Sequence, residues 1–298
     1  MARVLVTGGH GFIGSHLMNY LYEKGNKVLG IDNLMHASQN EVHTKYVDVR
    51  NYKELLDYFS NCDVCFHLAA QISVDRSIQF PQETIDINIL GTQNVLECAR
   101  KTGTKVVFAS TSEIYGTSQK EFIDENHPLD CHSPYGASKV AADRLCLAYK
   151  NTFGSDVVIV RNFNTFGTYQ SDDSYGGVIA KFTNQALKGE DLILYGDGSQ
   201  ERDYMHISDA MKAYEIAMCL PSGTVVNFGT GKTIVIKELA EQIIKLTGSQ
   251  SRIIVGPPRK GEVQRLCADI TKAKTYGFAP QTNFDEHLKE YIEWKTKR

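Results

Sequence analysis

Arg3-Val4-Leu5-Val6-Thr7-Gly8-Gly9-His10-Gly11-Phe12-Ile13-Gly14 is the stretch on which the fold turns. An apolar run of strand type passes directly into a glycine loop, and from Ser15 to Glu23 apolar residues recur at helical spacing. A glycine pattern alone is a weak signal. Set between a strand and the start of a helix it gains a physical meaning: the chain turns sharply, nothing but backbone stands at the turn, and uncapped N–H groups at the helix start can meet an anion.

The same rhythm continues outward from this unit. Arg3 to Val6, Lys27 to Ile31, Lys45 to Val47, Val64 to His67, Lys105 to Ala109 and Val157 to Val160 read as strands, most of them Val-rich runs suited to burial on both faces. Between them Ser15 to Glu23, Asp86 to Lys101 and Tyr135 to Lys150 carry helical periodicity. The alternation predicts an α/β fold of the Rossmann type, a doubly wound parallel sheet with helices on both faces. After about Thr165 the rhythm breaks into a Gly-rich stretch, a helix from Val178 to Lys188, a short strand from Leu192 to Tyr195, a turn at Gly196 to Ser199, a helix from Thr233 to Leu246 and a loop at Gly256-Pro257-Pro258. Residues 1–165 are therefore expected to form a dinucleotide-binding domain and 166–298 mainly a smaller α/β substrate-binding domain, with Val225 to Phe228 a candidate to return to the first sheet.

A length of 298 residues suits one large domain with a smaller companion. A net charge of −3 offers no basic surface for nucleic acid, and no run approaches the ~20 apolar residues of a membrane span. The chain enters a strand at Arg3, which leaves no room for a signal peptide and makes a cytoplasmic location the expectation. The 7 cysteines are odd in number and scattered, as free thiols are. Cys62 and Cys65, spaced C-x-x-C, have no partner pair at zinc spacing and read as small residues beside a buried strand. The 9 histidines form no metal motif, and His67, at a strand end, reads as a packed core residue.

Gly8, Gly11 and Gly14, with Phe12 and Ile13 between them, are candidates to hold a dinucleotide pyrophosphate. Asp32 closes the second strand, where a carboxylate accepts hydrogen bonds from ribose hydroxyls. It would repel a 2′-phosphate, so NAD rather than NADP is expected. Asn33 follows it. Asp48 and Val49, after the third strand, fit the adenine edge, with a helix N-cap as the other reading of Asp48. Leu68, Ala69 and Ala70 supply small residues where the backbone passes the cofactor.

Tyr135 and Lys139, in Tyr-Gly-Ala-Ser-Lys, lie one helical turn apart. A phenol of pKa about 10 is a poor base unless a positive charge stabilises the phenolate; Lys139 and the ring of an oxidised nicotinamide can both supply one. The hydroxyl-rich end of the preceding strand, Ser110-Thr111-Ser112, can orient a substrate oxygen. Together with His67-Leu68-Ala69-Ala70-Gln71, Ser110 to Gly116, Arg161 to Gly167, Gly196 to Tyr204 and Arg259 to Val263, these motifs cover nearly the whole chain. In them the sequence resembles the extended short-chain dehydrogenase/reductase family, specifically its NAD-dependent nucleotide-sugar epimerases and dehydratases.

The resemblance implies catalysis by Thr111, Tyr135 and Lys139, and a nucleotide-diphosphate sugar held by Asn164, Val178, Tyr195, Arg202 and Arg259, the arginines clamping the diphosphate. It implies a weaker supporting role for Asn88 and a homodimer through helices such as Asp86 to Lys101 and Tyr135 to Lys150. It further implies oxidation at C4 of the sugar, after which fates diverge. Glu113 fits a base at C5 for loss of the C6 hydroxyl. Ser112 stands where dTDP-glucose 4,6-dehydratases carry the aspartate that serves as acid, although GDP-mannose and some UDP-N-acetylglucosamine dehydratases resemble this Thr-Ser-Glu version; Val74 to Ile78 is dehydratase-like as well. The expectation is thus a 4,6-dehydratase ahead of a 4-epimerase, with a net C4 dehydrogenase or a uronate decarboxylase behind them. A non-catalytic NAD-binding regulator ranks last, because the Thr111, Tyr135 and Lys139 set is complete.

Overall fold

Strands rich in branched residues and buried on both faces need helices on both sides, and that is how the chain is built. The structure, a computed structural model, describes residues 1–34, 43–171, 177–258, 261–281 and 283–298. The strands are β1 (Arg3–Thr7), β2 (Lys27–Asp32), β3 (Thr44–Tyr46), β4 (Val64–His67), β5 (Lys105–Thr111), β6 (Val157–Asn162), β7 (Asn164–Phe166), β8 (Leu192–Tyr195), β9 (Glu201–His206), β10 (Val225–Phe228), β11 (Thr233–Val235), β12 (Ile253–Gly256) and β13 (Arg265–Leu266). The helices are α1 (Phe12–Glu23), α2 (Tyr52–Phe59), α3 (Val74–Gln79), α4 (Pro81–Ile85), α5 (Gly91–Thr102), α6 (Pro134–Phe153), α7 (Val178–Leu187), α8 (Ile207–Cys219), α9 (Ile236–Thr247), α10 (Thr271–Thr275) and α11 (Phe284–Thr296), with a π-turn at Asp86–Leu90 and a 3-10 turn at Ser112–Tyr115.

The main sheet runs β10-β6-β5-β4-β1-β2-β3 and all its pairings are parallel. The chain passes from β1 outward to β2 and β3, then returns to β4 on the other flank. This reversal opens a crevice beyond the carboxyl ends of β1 and β4, where doubly wound sheets bind ligands. One core layer packs Leu17, Met18 and Leu21 of α1 and Met211, Tyr214 and Ala217 of α8 against one face; the other packs Leu55 and Phe59 of α2, Val95 and Leu96 of α5, and Ala142 and Cys146 of α6. A third core joins Phe182 of α7, Leu239 and Ile243 of α9, and Leu288 of α11 around β8 and Tyr204 of β9.

The structure departs from the sequence expectations at element ends. β5 and β6 each run two residues further, to Thr111 and Asn162, because six Cα pairs keep them in register to that point. The helix expected from Thr233 starts at Ile236, since Thr233 to Val235 pair antiparallel with Glu201 to Asp203. The segment Asp86 to Lys101 is not one regular helix: its first turn is the wider π-turn. Val225 to Phe228 lies in the main sheet beside β6. All 7 cysteines are free thiols, and burial pushes both Cys62 and Cys65 above the usual thiol range.

Candidate active site

A cavity of about 1190 Å³ fills the crevice at the sheet's carboxyl edge and extends to α7, β8 and α11. Its floor on one side is the glycine loop. Gly8 has φ +72°, and a Cβ at Gly14 would lie 2.0 Å from the Gly8 carbonyl oxygen, so the loop closes on itself with no space for a side chain. Gly11 caps α1 without a side-chain acceptor, which leaves the first-turn N–H groups at Phe12, Ile13 and Gly14, all on the cavity wall, with their partial positive charge directed outward.

Asp32 stands at the end of β2 on the same wall, its carboxylate held by the N–H groups of His10 (3.0 Å) and Leu34 (2.8 Å). Asn33 lies beside it and reaches the Asp48 carboxylate at 3.5 Å. Asp48 is not a helix cap: Asn51 caps α2, while Asp48 pairs with the Arg50 guanidinium at 2.6 Å, which holds its carboxyl below the usual range. Val49, Leu68, Ala69 and Ala70 complete this half of the cavity. Small residues, a pyrophosphate-sized N–H cradle and a carboxylate one strand away are the donor set a dinucleotide requires.

Thr111 ends β5 and accepts the Glu113 N–H at 3.3 Å, starting the tight turn that follows. Ser133 caps α6 by accepting the Gly136 N–H at 3.1 Å, and Pro134 supplies a preset first helical residue. That start places Tyr135 and Lys139 on the same cavity wall as Thr111 and Glu113, with the Thr111 side chain in hydrogen-bond reach of Tyr135. Ser112 lies in the turn between two cavity-lining residues, is 1% exposed and does not itself line the cavity.

Burial dominates the electrostatics of both catalytic candidates on α6. Burial drives the Tyr135 phenol above its ordinary range, Glu113 pushes the same way, and the hydrogen bond from Thr111 opposes them. Lys139 itself is pulled down to about 8 by burial, with Asp143 and Cys146 working against that, and its Nζ sits 4.4 Å from the Phe108 ring centroid.

On the far side, Asn164 of β7, Val178 at the start of α7, Tyr195 at the end of β8 and Arg202 of β9 all line the cavity. The Arg202 Nη1 donates to the Glu201 carbonyl at 3.0 Å, which ties the base of the fork to β9. Arg259 lies outside the described residues. Asn88 is buried behind the wall and bonds Gln71 and Ser138. Sequence reasoning missed Lys181, Asn184 and Gln185 on the cavity face of α7, and Trp294, Lys295 and Arg298 at the end of the chain. The first three share one helix face and could have been found by spacing; the others arrive only because α11 packs on α7. Among the described residues no group of His, Cys, Asp and Glu could hold a metal ion, and no helix is long and apolar enough to cross a membrane.

The chain matches the model of the NAD dependent epimerase/dehydratase family over residues 4–229. It is 38% identical to a putative UDP-glucose 4-epimerase of Methanocaldococcus jannaschii across 98% of this chain and 97% of that protein. A UDP-glucose 4-epimerase of Thermotoga maritima, solved with UDP-glucose, superposes with a TM-score of 0.95 at 33% identity, each chain covered to 99%. A dTDP-glucose 4,6-dehydratase of Streptomyces venezuelae, solved with NAD, superposes with a TM-score of 0.94 at 31% identity over 99% of this chain and 97% of that one.

Proposed function

This chain belongs to the NAD-dependent epimerase/dehydratase family, and from that premise we propose that it is a nucleotide-sugar 4,6-dehydratase. Its cofactor is NAD. When bound, NAD takes a hydride from the sugar at the start of the cycle and returns one at its end. Gly8, Gly11, Phe12, Ile13 and Gly14 are the residues that would hold its pyrophosphate, and Asp32 its ribose. Residues 166–298 mainly supply the nucleotide-sugar side, with Arg202 and, by the sequence resemblance, Arg259 at the diphosphate and Val178 and Tyr195 beside it; Asn164, from just before this part of the chain, joins them.

The reading is carried by the Glu113 carboxylate, which lies on the cavity wall and acts electrostatically on Tyr135. Tyr135 takes the proton of the C4 hydroxyl while Thr111 orients that oxygen and Lys139 supports the resulting phenolate. The C4 ketone acidifies C5–H. Glu113 removes that proton, the C5–H electron pair becomes the C5–C6 double bond, and the C6–O bond breaks. With Ser112 off the wall, the proton now on Glu113 is the one at hand for the departing hydroxyl, which leaves as water. Hydride then adds at C6, and the proton that Tyr135 took from the C4 hydroxyl passes to C5.

Reversible oxidation alone, giving a 4-epimerase, is the second reading. Two of the relatives above are named 4-epimerases, and the absence of Ser112 from the wall removes a dedicated acid. Turning UDP-, GDP- and dTDP-hexoses over in deuterated water separates the two. A product lighter by one water and deuterated at C5, lost in Glu113→Gln, is the expected result. A product of unchanged mass with inverted C4 and no deuterium would replace it with the epimerase. A homodimer through α5 and α6 belongs to the same proposal, supported by exposed Leu90, just before α5, and Phe153, at the end of α6.

A further inference from the structure

Behind the cavity wall lies a buried histidine that the chemistry above does not use. His67, the last residue of β4, is 1% exposed. Its Nδ1 is 2.7 Å from the Thr7 hydroxyl and its Nε2 is 3.0 Å from that of Thr92. Thr92 spends its one proton on the Asn88 carbonyl at 2.6 Å, so toward His67 it accepts, and the imidazole carries its proton on Nε2. Nδ1 therefore accepts from Thr7, whose oxygen accepts the Ala69 N–H at 3.1 Å. One tautomer satisfies every partner.

From Asn88 the bonding continues toward the catalytic helix. Its side chain accepts the Gln71 N–H at 2.8 Å and donates to the Ser138 hydroxyl at 2.9 Å; Ser138 donates to the Tyr135 carbonyl at 2.7 Å. Asn88 sits in the π-turn Asp86–Leu90, the kind of local widening that accompanies functional sites. Thr7, His67, Thr92, Asn88 and Ser138 are all at most 2% exposed, so water offers these groups no substitute partner. An unbroken hydrogen-bonded line joins Ala69, on the cofactor side of the cavity, to Tyr135.

We propose that His67 and Thr92 are positioning residues: with Thr7, Asn88 and Ser138 they form a strut that fixes the catalytic turn Tyr135–Lys139 relative to the strand ends that cradle the cofactor. The proposal rests on the reading of Tyr135 as the proton-transfer group. Burial and the Lys139 charge pull His67 down to about 3, which keeps the imidazole neutral and in its single tautomer across the working pH range.

The test is amide hydrogen exchange of the full chain with and without NAD, on the parent and on Thr92→Val, Thr92→Ser and Thr7→Val. Valine keeps the shape and removes the hydroxyl; Thr7→Val cuts the same strut at its other end and serves if Thr92→Val fails to fold. In the parent and in Thr92→Ser, NAD slows exchange in both the 8–14 loop and the 135–139 turn. In the valine variants the loop remains protected and the turn does not. In parallel, consumption of UDP-, GDP- or dTDP-glucose falls ~10-fold or more in kcat with KM little changed, the size expected when a catalytic group is misplaced by a fraction of an ångström. The double variant is no worse than either single one, because both cut one line. Protection of the turn retained in the valine variants, or additive losses in the double variant, would overturn the strut. A parent chain inert toward all three sugars would count against the proposed function, while the exchange comparison still decides the strut.

Discussion

Placing one methyl group in the glycine loop, Gly14→Ala, tests whether this loop is the cofactor cradle. The new Cβ would lie 2.0 Å from the Gly8 carbonyl oxygen, 2.9 Å from the Gly8 carbonyl carbon and 3.1 Å from the Gly9 Cα. All three are backbone atoms, so no side chain can swing aside. Restoring the 3.4 Å of ordinary contact from 2.0 Å moves α1 and the loop apart by about 1.4 Å. A shift of that size takes the first-turn N–H groups out of hydrogen-bond range of a pyrophosphate, and the loss of two or three charge-assisted bonds at ~1.5 kcal/mol each weakens NAD binding ~10²-fold or more. The assay is isothermal titration of NAD into folded protein, with thermal unfolding run alongside. Gly25→Ala is the control: nothing lies within 4 Å of its added Cβ, although its φ of +83° strains any side chain, so it lowers stability and leaves NAD affinity unchanged. Gly14→Ala binding NAD within threefold of the parent would refute the reasoning.

Tyr135→Phe abolishes turnover while NAD still binds, checked by titration; retained turnover would remove Tyr135 from its role. Lys139→Met removes a buried cation whose pKa is pulled down to about 8. In the parent the resulting penalty on the folded state is fully present at neutral pH and disappears as pH rises from about 8 into the ordinary lysine range, so parent stability climbs over that window. The substitution, though inactive, therefore raises unfolding free energy at neutral pH by on the order of 3 kcal/mol, with the gain fading at alkaline pH in urea titrations. Asp143→Asn leaves the Arg161 guanidinium, 1% exposed and paired with Asp143 at 2.9 Å, without its counter-charge, and costs ~3–5 kcal/mol in the same measurement.

The strands, the glycine loop and the Tyr135–Lys139 pair were legible in the sequence because each depends on local spacing. Val-rich runs read as doubly buried strands, glycine at Gly8 and Gly14 answers a steric demand a few residues away, and a helical turn sets two side chains on one face by geometry alone. The nature of the strand ends was less legible. Ser112 and Glu113 are adjacent in sequence and look equally available, yet the turn after Thr111 buries one and presents the other. Only pairing in three dimensions makes Thr233 to Val235 a strand against β9, or carries Val225 to Phe228 back to the main sheet. The environment of Tyr135 likewise follows from burial and from Glu113, neither of which spacing reports. Trp294, Lys295 and Arg298 reach the cavity because α11 packs on α7, and the line from Ala69 through His67 to Tyr135 joins residues from two strands and two helices. Local sequence determines which elements form; which side chains meet at the site, and with what charge, is decided by long-range packing that no window along the chain contains.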